Sequence, residues 1–346
     1  MTTDVDGILV HWGERLFYPQ NRIVKGLRPP RLTGGSRMRA ATIRARIKAT
    51  VVRRAPQVMV RVTGGGRGMA AIAAHFRYIS KDGRLPFEDD RGITREGMDA
   101  LRDLADQWRY GGSFIDETSP RREACNIMLS MPSGTDPLTV QRAAREFAQQ
   151  ELADHRYVMV LHDHQANPHV HISVRAESCH GKRLNPRKAD LQRWRETFAE
   201  RLRGWGIEAE SSRQATRGQV RNYDSLWRVK AAERGSLIAE RPNTKTSPRS
   251  ERSRQDAVFA WVQITQALAD SEAEEDRALA RSIDRYVRKT PFGIEYARKL
   301  RDRAQVEPAR NSRGQLGLDL PTPEGHLPPA QTPPRSLAQQ VDRDRR

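Results

Sequence analysis

Residues 157–176 read YVMVLHDHQANPHVHISVRA, and this stretch decides the fold. YVMVLHD (157–163) and HVHISVRA (169–176) are short apolar runs rich in β-branched residues, which predicts two strands. Asn167-Pro168 supplies the turn between them. A parallel crossover needs a dozen or more residues, so a connection this short makes the two strands antiparallel. Successive side chains alternate across a strand, so His169 and His171 project together while Val170 and Ile172 take the other face. Pairing through the turn brings His162 beside them. Four of the chain's nine histidines lie in this stretch. Three imidazoles on one sheet face can cap a divalent ion and leave positions open, which catalysis needs and a structural site does not. Imidazole suits Zn, Mn, Co or Ni, so the ligands alone do not name the metal, and a divalent ion (Mg, Mn or Zn) is expected.

Outward from the hairpin, QVMVRVT (57–63) alternates as a strand and ACNIMLSMP (124–132) reads as another, stopped by Pro132. Helical spacing runs through MAAIAAHFRYISKDG (69–83), 92–112 with Thr94 as its N-cap, 136–154 and 190–206. IEAES (207–211) has the composition of a short edge strand. Strands separated by helices of uneven length, with an antiparallel pair among them, predict an α+β fold. Its centre is an antiparallel sheet with helices packed on it, followed by a helical, partly disordered C-terminal region.

The chain has 346 residues and a formal net charge of +18, with 61 Lys and Arg against 43 Asp and Glu. Such an excess favours a polyanionic partner, because Lys and Arg that neutralise phosphates release counterions. Residues 11–56 hold twelve Lys or Arg and one acid, Glu14, and read as a basic N-terminal arm (1–55) with a candidate helix over 36–54 capped by Ser36. The folded domain is expected over 56–235, a linker over 236–254, a charged helical region over 255–305 broken at Thr290-Pro291, and a disordered tail over 306–346. Cys125 and Cys179 lack metal or disulfide spacing and read as reduced side chains. No apolar run is long enough to insert in a membrane and no signal peptide precedes the domain, which predicts a cytoplasmic protein.

HDHQANPHVHISV resembles the third motif of the relaxases, the mobilisation nucleases of the HUH endonuclease superfamily. Their pattern is roughly His-x-Asp-x-x-Asn-Pro-His-x-His before an apolar strand, matched here at His162, Asn167, Pro168, His169 and His171. The family's Asp position holds His164, and Asp163 would point to the other side of an extended chain. HFRYISKDGRL (75–85) resembles the first motif of the T-DNA border endonuclease branch, and NIMLSMPSGTDP (126–137) the second. GKRLNPRKADLQRWRETFAERLRGWGIEAE (181–210) is similar to the helix that follows the metal motif. The resemblance covers about residues 56–235.

It implies a metal-dependent enzyme that nicks and rejoins one DNA strand at an origin of transfer. Tyr78 would be the nucleophile of a 5′-phosphotyrosyl intermediate, with Tyr157 as runner-up, and His162, His169 and His171 the metal ligands. His164 would accept the tyrosine proton or stand in for the family's Asp. Arg67, Lys81, Arg84, Lys182, Arg183, Arg187 and Lys188 become candidates for phosphate contacts, with Ser130 a further donor. Implied partners are single-stranded or supercoiled origin DNA, a type IV secretion coupling protein and accessory relaxosome proteins, in a bacterial protein that can travel with its DNA to the recipient cell. The basic tail ending SLAQQVDRDRR would be its secretion signal. Competing readings are a rolling-circle replication initiator or single-strand transposase, and a non-catalytic metal-stabilised DNA-binding accessory protein. Against the first, Tyr78 has no tyrosine partner one helical turn away; against a zinc hydrolase, there is no H-E-x-x-H.

Overall fold

The computed structural model describes residues 4–18, 35–219, 221, 228, 231–232, 234–236, 245 and 247–306. Six strands form one antiparallel sheet: β1 (Met59–Gly64), β2 (Phe87–Asp89), β3 (Thr94–Arg95), β4 (Ala124–Ser130), β5 (Tyr157–His162) and β6 (His169–Arg175). Their order is β1-β4-β6-β5-β2-β3. The expected antiparallel hairpin β5–β6 is central, and the α+β class follows from it. The pleat sorts β6 sharply. Val170, Ile172 and Val174 enter one core, while the alternate residues His169, His171, Ser173 and Arg175 lie on the opposite face.

Each face is covered by helices. On the first, α5 (Pro137–Glu151) and α6 (Lys188–Gly204) bury Phe147, Trp194, Phe198 and Leu202 against Ile127, Leu129, Met159 and Ile172. Asp136 starts α5 by accepting the Thr139 backbone N–H at 2.8 Å, with Pro137 at the position where a missing N–H costs nothing. On the second face, α3 (Met69–Ile79) and α4 (Met98–Tyr110) pack Phe76, Ile79, Leu104 and Trp108 on Val158, Val160 and Ala124. This cover does not reach the outer end of β1, where Met59 and Arg61 are exposed. Chain direction matters for the site. Beyond β1 the chain turns through Gly68, at φ +92°, so α3 runs back along the sheet and ends over β5.

Several elements differ from the sequence reading. The stretch expected as a basic arm contains α1 (Val5–Phe17), which is not among the expected helices, and, where a helix over 36–54 is expected, α2 (Ser36–Ile47) with a π-helical turn (Lys48–Val52). Leu9, Leu16, Phe17, Ile43 and Ile47 form a second core with α7 (Pro248–Ala269) and α8 (Glu274–Arg288). Nearby Asp6 and Glu14 answer Arg44 and Arg39, but other partners lie far along the chain, where a local count of charge misses them: Arg44 also bonds Asp276 at 2.8 Å. Arg46 bonds Glu210 at 2.9 Å and pairs with Glu196 at 3.1 Å. Gly35, not Ser36, is the N-cap of α2, without a side-chain bond. Thr94 belongs to β3, and α4 starts after Gly97, whose φ of +94° suits glycine alone.

IEAES makes one parallel bridge, Glu210 with Gln57, and no strand. The two short strands β2 and β3 escape a periodicity reading because they have three and two residues. Part of the expected linker, from Pro248, is already α7. The charged helical region holds α7, α8 and α9 (Pro291–Val306), so it breaks at 270–273 as well as at the expected Thr290-Pro291. The tail beyond Val306 lies outside the described residues. Among the described residues, no helix is long and apolar enough to cross a membrane.

A candidate metal centre at the end of the central hairpin

The register of β5 and β6 places His162 opposite His169, and Val160 opposite His171. All three imidazoles therefore share the face under α3. Ring centroids lie 5.0 Å apart for His162–His169, 4.7 Å for His162–His171 and 5.0 Å for His169–His171. One ligand atom from each falls within 4.8 Å of the others. His162 and His169 are buried and His171 half-buried.

The hydrogen bonds around the rings fix their orientation. His162 Nε2 meets the Ile79 carbonyl at 2.6 Å, and His169 Nδ1 meets the Asn167 carbonyl at 2.9 Å. Each ring that donates one N–H to a carbonyl keeps the other nitrogen's lone pair, as metal-ligating histidines do. His162 Nδ1 is buried without a partner. Burial lowers the His162 pKa, and lowers that of His171 to about 3 with a smaller push from the neighbouring imidazoles. Both rings are therefore neutral at physiological pH, the form that binds a metal. Orphaned nitrogens, neutral rings and mutual spacing together fit a divalent ion.

The turn is tied down as firmly as the strands. Asn167 Oδ1 accepts the Ser133 N–H at 2.9 Å, and the Pro168 carbonyl accepts the Met131 N–H at 3.1 Å. Ser130 is buried, and its hydroxyl donates to the Pro168 carbonyl at 3.3 Å. It thus closes the turn instead of facing a phosphate. His164 is exposed, with its ring 5.1 Å from that of His162 and outside the three-ligand set.

Tyr78 is exposed on the last turn of α3, next to Ile79, whose carbonyl holds His162. That bond joins the tyrosine's helix to the histidine cluster. Tyr157 is a different case. It is buried in the core under α5, on the face opposite the histidines, and burial pushes its pKa up to about 12. The runner-up tyrosine is thereby removed.

The basic candidates divide by position. Lys81 lies close enough to His162 to act on its charge, and Arg84 donates to the Lys81 carbonyl at 2.9 Å. Lys182 and Arg183 lie past Arg175, at the other end of β6, roughly 20 Å from His169 at about 3.3 Å per residue. Arg183 is engaged with Glu123 at 3.2 Å. Arg67 also sits at that far end and donates to the Pro120 carbonyl at 3.0 Å. Arg187 and Lys188 begin α6, the helix on the opposite face.

Two residues were missed. Arg61 pairs with Met128, which pairs with His171, so Arg61 stands in the histidine row two strands away and is exposed. The alternation of QVMVRVT held that signal, but its face is legible only once the strand order is known. His75, one turn before Tyr78, has a buried Nε2 with no partner, and burial lowers its pKa to about 4. A second group, Asp154, Cys179 and His180, lies within ligand spacing but is exposed throughout.

The antiparallel sheet, with helices on both faces, carries a three-histidine cluster on its central hairpin beside an exposed tyrosine on the helix that grips it, an arrangement able to hold a divalent ion. Residues 87–207 match the family model of the relaxase nuclease domain, MobA/VirD2-like. Tyr78 lies just ahead of the matched segment. The chain is also 24% identical over 249 residues to the T-DNA border endonuclease VirD2 of Rhizobium radiobacter, across 66% of this chain and 54% of the relative. The chain thus spans about half the length of the curated relative it matches.

Proposed function

We propose that this chain nicks one strand of DNA at an origin of transfer by transesterification, with Tyr78 as nucleophile. The observation that supports the reading most is the His162–Ile79 bond, one residue along α3 from the exposed Tyr78. The Tyr78 Oη–phosphorus bond forms as the bond from phosphorus to the 3′ oxygen breaks. This leaves a 5′-phosphotyrosyl link and a free 3′-hydroxyl. One phosphodiester replaces another, so rejoining is the same step reversed and no nucleotide cofactor is consumed. His162, His169 and His171 would hold a divalent ion, which supplies positive charge to the scissile phosphate. His164, exposed beside His162, is assigned the phenol proton, while the departing 3′ oxygen takes a proton from water to become the hydroxyl; rejoining runs both transfers in reverse. Lys81, Arg84 and Arg61 line the approach and take backbone phosphates.

The function at cell level follows as part of the same proposal. The chain would start conjugative transfer or mobilisation from the cytoplasm, with a coupling protein and relaxosome partners, and its tail would carry the secretion signal. The test is a nicking assay on supercoiled DNA bearing a candidate origin, with Mn or Mg. Wild type should give strand-specific nicks that disappear with chelator and in His169→Ala. Nicking that persists in both would remove the metal centre from the reaction. DNA binding without any nicking would favour the accessory-protein reading.

A further inference from the structure

The three candidate ligands do not have equal support. His162 and His169 each meet a backbone carbonyl, from Ile79 and Asn167. His171 Nδ1 is buried and has no partner. A neutral imidazole has one N–H and one lone pair, and leaving the N–H of a ligand ring unpaired in a buried site costs both stability and ring orientation. One neighbour has the matching need. His75, on α3, has a buried Nε2 that is likewise without a partner. It lies close enough to His171 to act on its charge. His75 precedes Ile79 by one helical turn, so the same side of α3 that reaches His162 through a carbonyl presents His75 to the cluster. Its ring also stacks on Tyr78, with centroids 6.2 Å apart and planes at 28°.

We propose that His75 is the positioning partner of His171, its Nε2 meeting the His171 Nδ1–H through one buried water, so that the end of α3 holds two of the three ligands as well as the nucleophile. This rests on the metal-centre reading above. It makes His75 neither a ligand nor a group that touches DNA. It also explains why a half-buried histidine sits one turn before the tyrosine. The ring that steadies the ion's ligand on one edge packs against the tyrosine on its face, so the position of the tyrosine and the order of the metal site are linked.

The test is Mn(II) affinity of the full chain without DNA, read by electron paramagnetic resonance. Outer partners of metal-bound histidines are worth about 10–100-fold in affinity. His75→Ala should weaken Mn binding by that factor, while His75→Gln, which keeps a hydrogen-bonding amide, should recover most of it. Wild-type affinity in the alanine variant, or a glutamine variant no better than alanine, overturns the proposal and leaves the centre standing. Wild type that binds no Mn overturns both, which separates the two failures. If the alanine variant does not fold, histidine nitrogen spectra of the Zn-loaded wild type decide. A His171 Nδ1–H protected from exchange agrees, and one that exchanges freely with water overturns the proposal.

Discussion

At the scale of single residues, exposure and hydrogen-bond partners separate side chains that look alike in sequence. Tyr78 is 57% exposed and Tyr157 only 4% exposed, although both precede an apolar residue beside a motif. Tyr157→Phe should leave DNA cleavage within a few-fold of wild type, since its hydroxyl faces the core and not the histidines. A cleavage assay checks this. The half-buried histidines also predict how stability varies with pH. His171 and His75 have folded pKa values lowered to about 3 and about 4, against about 6.5 in an unfolded chain. The unfolded state then binds more protons, so the stability from their neutral burial is full above about 6.5 and declines as pH falls towards 4. Thermal unfolding of metal-free protein should show that decline, and His171→Asn should flatten part of it. An unfolding temperature independent of pH between 7 and 4 would contradict the burial described.

At the scale of elements, the hairpin was legible because its signals are local. A six-residue connection allows only an antiparallel pair, and i, i+2 spacing puts His169 and His171 on one face. What was hidden is non-local. That Arg61 stands in line with His171 depends on β4 lying between β1 and β6, which no periodicity reveals. That Ser130 closes the turn follows from β4 reaching Pro168. Arg61→Ala should weaken single-stranded DNA binding and lower its salt dependence by about one counterion. Arg183→Ala, at the far end of β6, should change the affinity of a short oligonucleotide far less. Binding isotherms at several salt concentrations compare them.

At the scale of the whole molecule, the chain has a second core that its composition conceals. Twelve basic residues among the first 56 read as an arm, yet α1 and α2 bury Phe17, Ile43 and Ile47 against α7 and α8. Their partners stand more than two hundred residues away, beyond the reach of a local reading. Arg46 links this core to the sheet domain, buried with Glu210 and paired with half-buried Glu196. Removing one member of a buried ion pair typically costs about 3–5 kcal/mol, because the other charge is left uncompensated. Arg46→Ala should therefore lower denaturant stability by about that amount, whereas Arg102→Ala, in an exposed pair with Asp99, should change it by less than about 1 kcal/mol.

The nuclease reading as a whole meets at one covalent bond. Wild-type protein incubated with a single-stranded origin oligonucleotide and Mn, then digested and mapped by mass spectrometry, should give one DNA-linked peptide, with the phosphate on Tyr78. Tyr78→Phe should bind the same oligonucleotide and give no adduct. A linkage at another residue, or an undiminished adduct in Tyr78→Phe, would contradict the account.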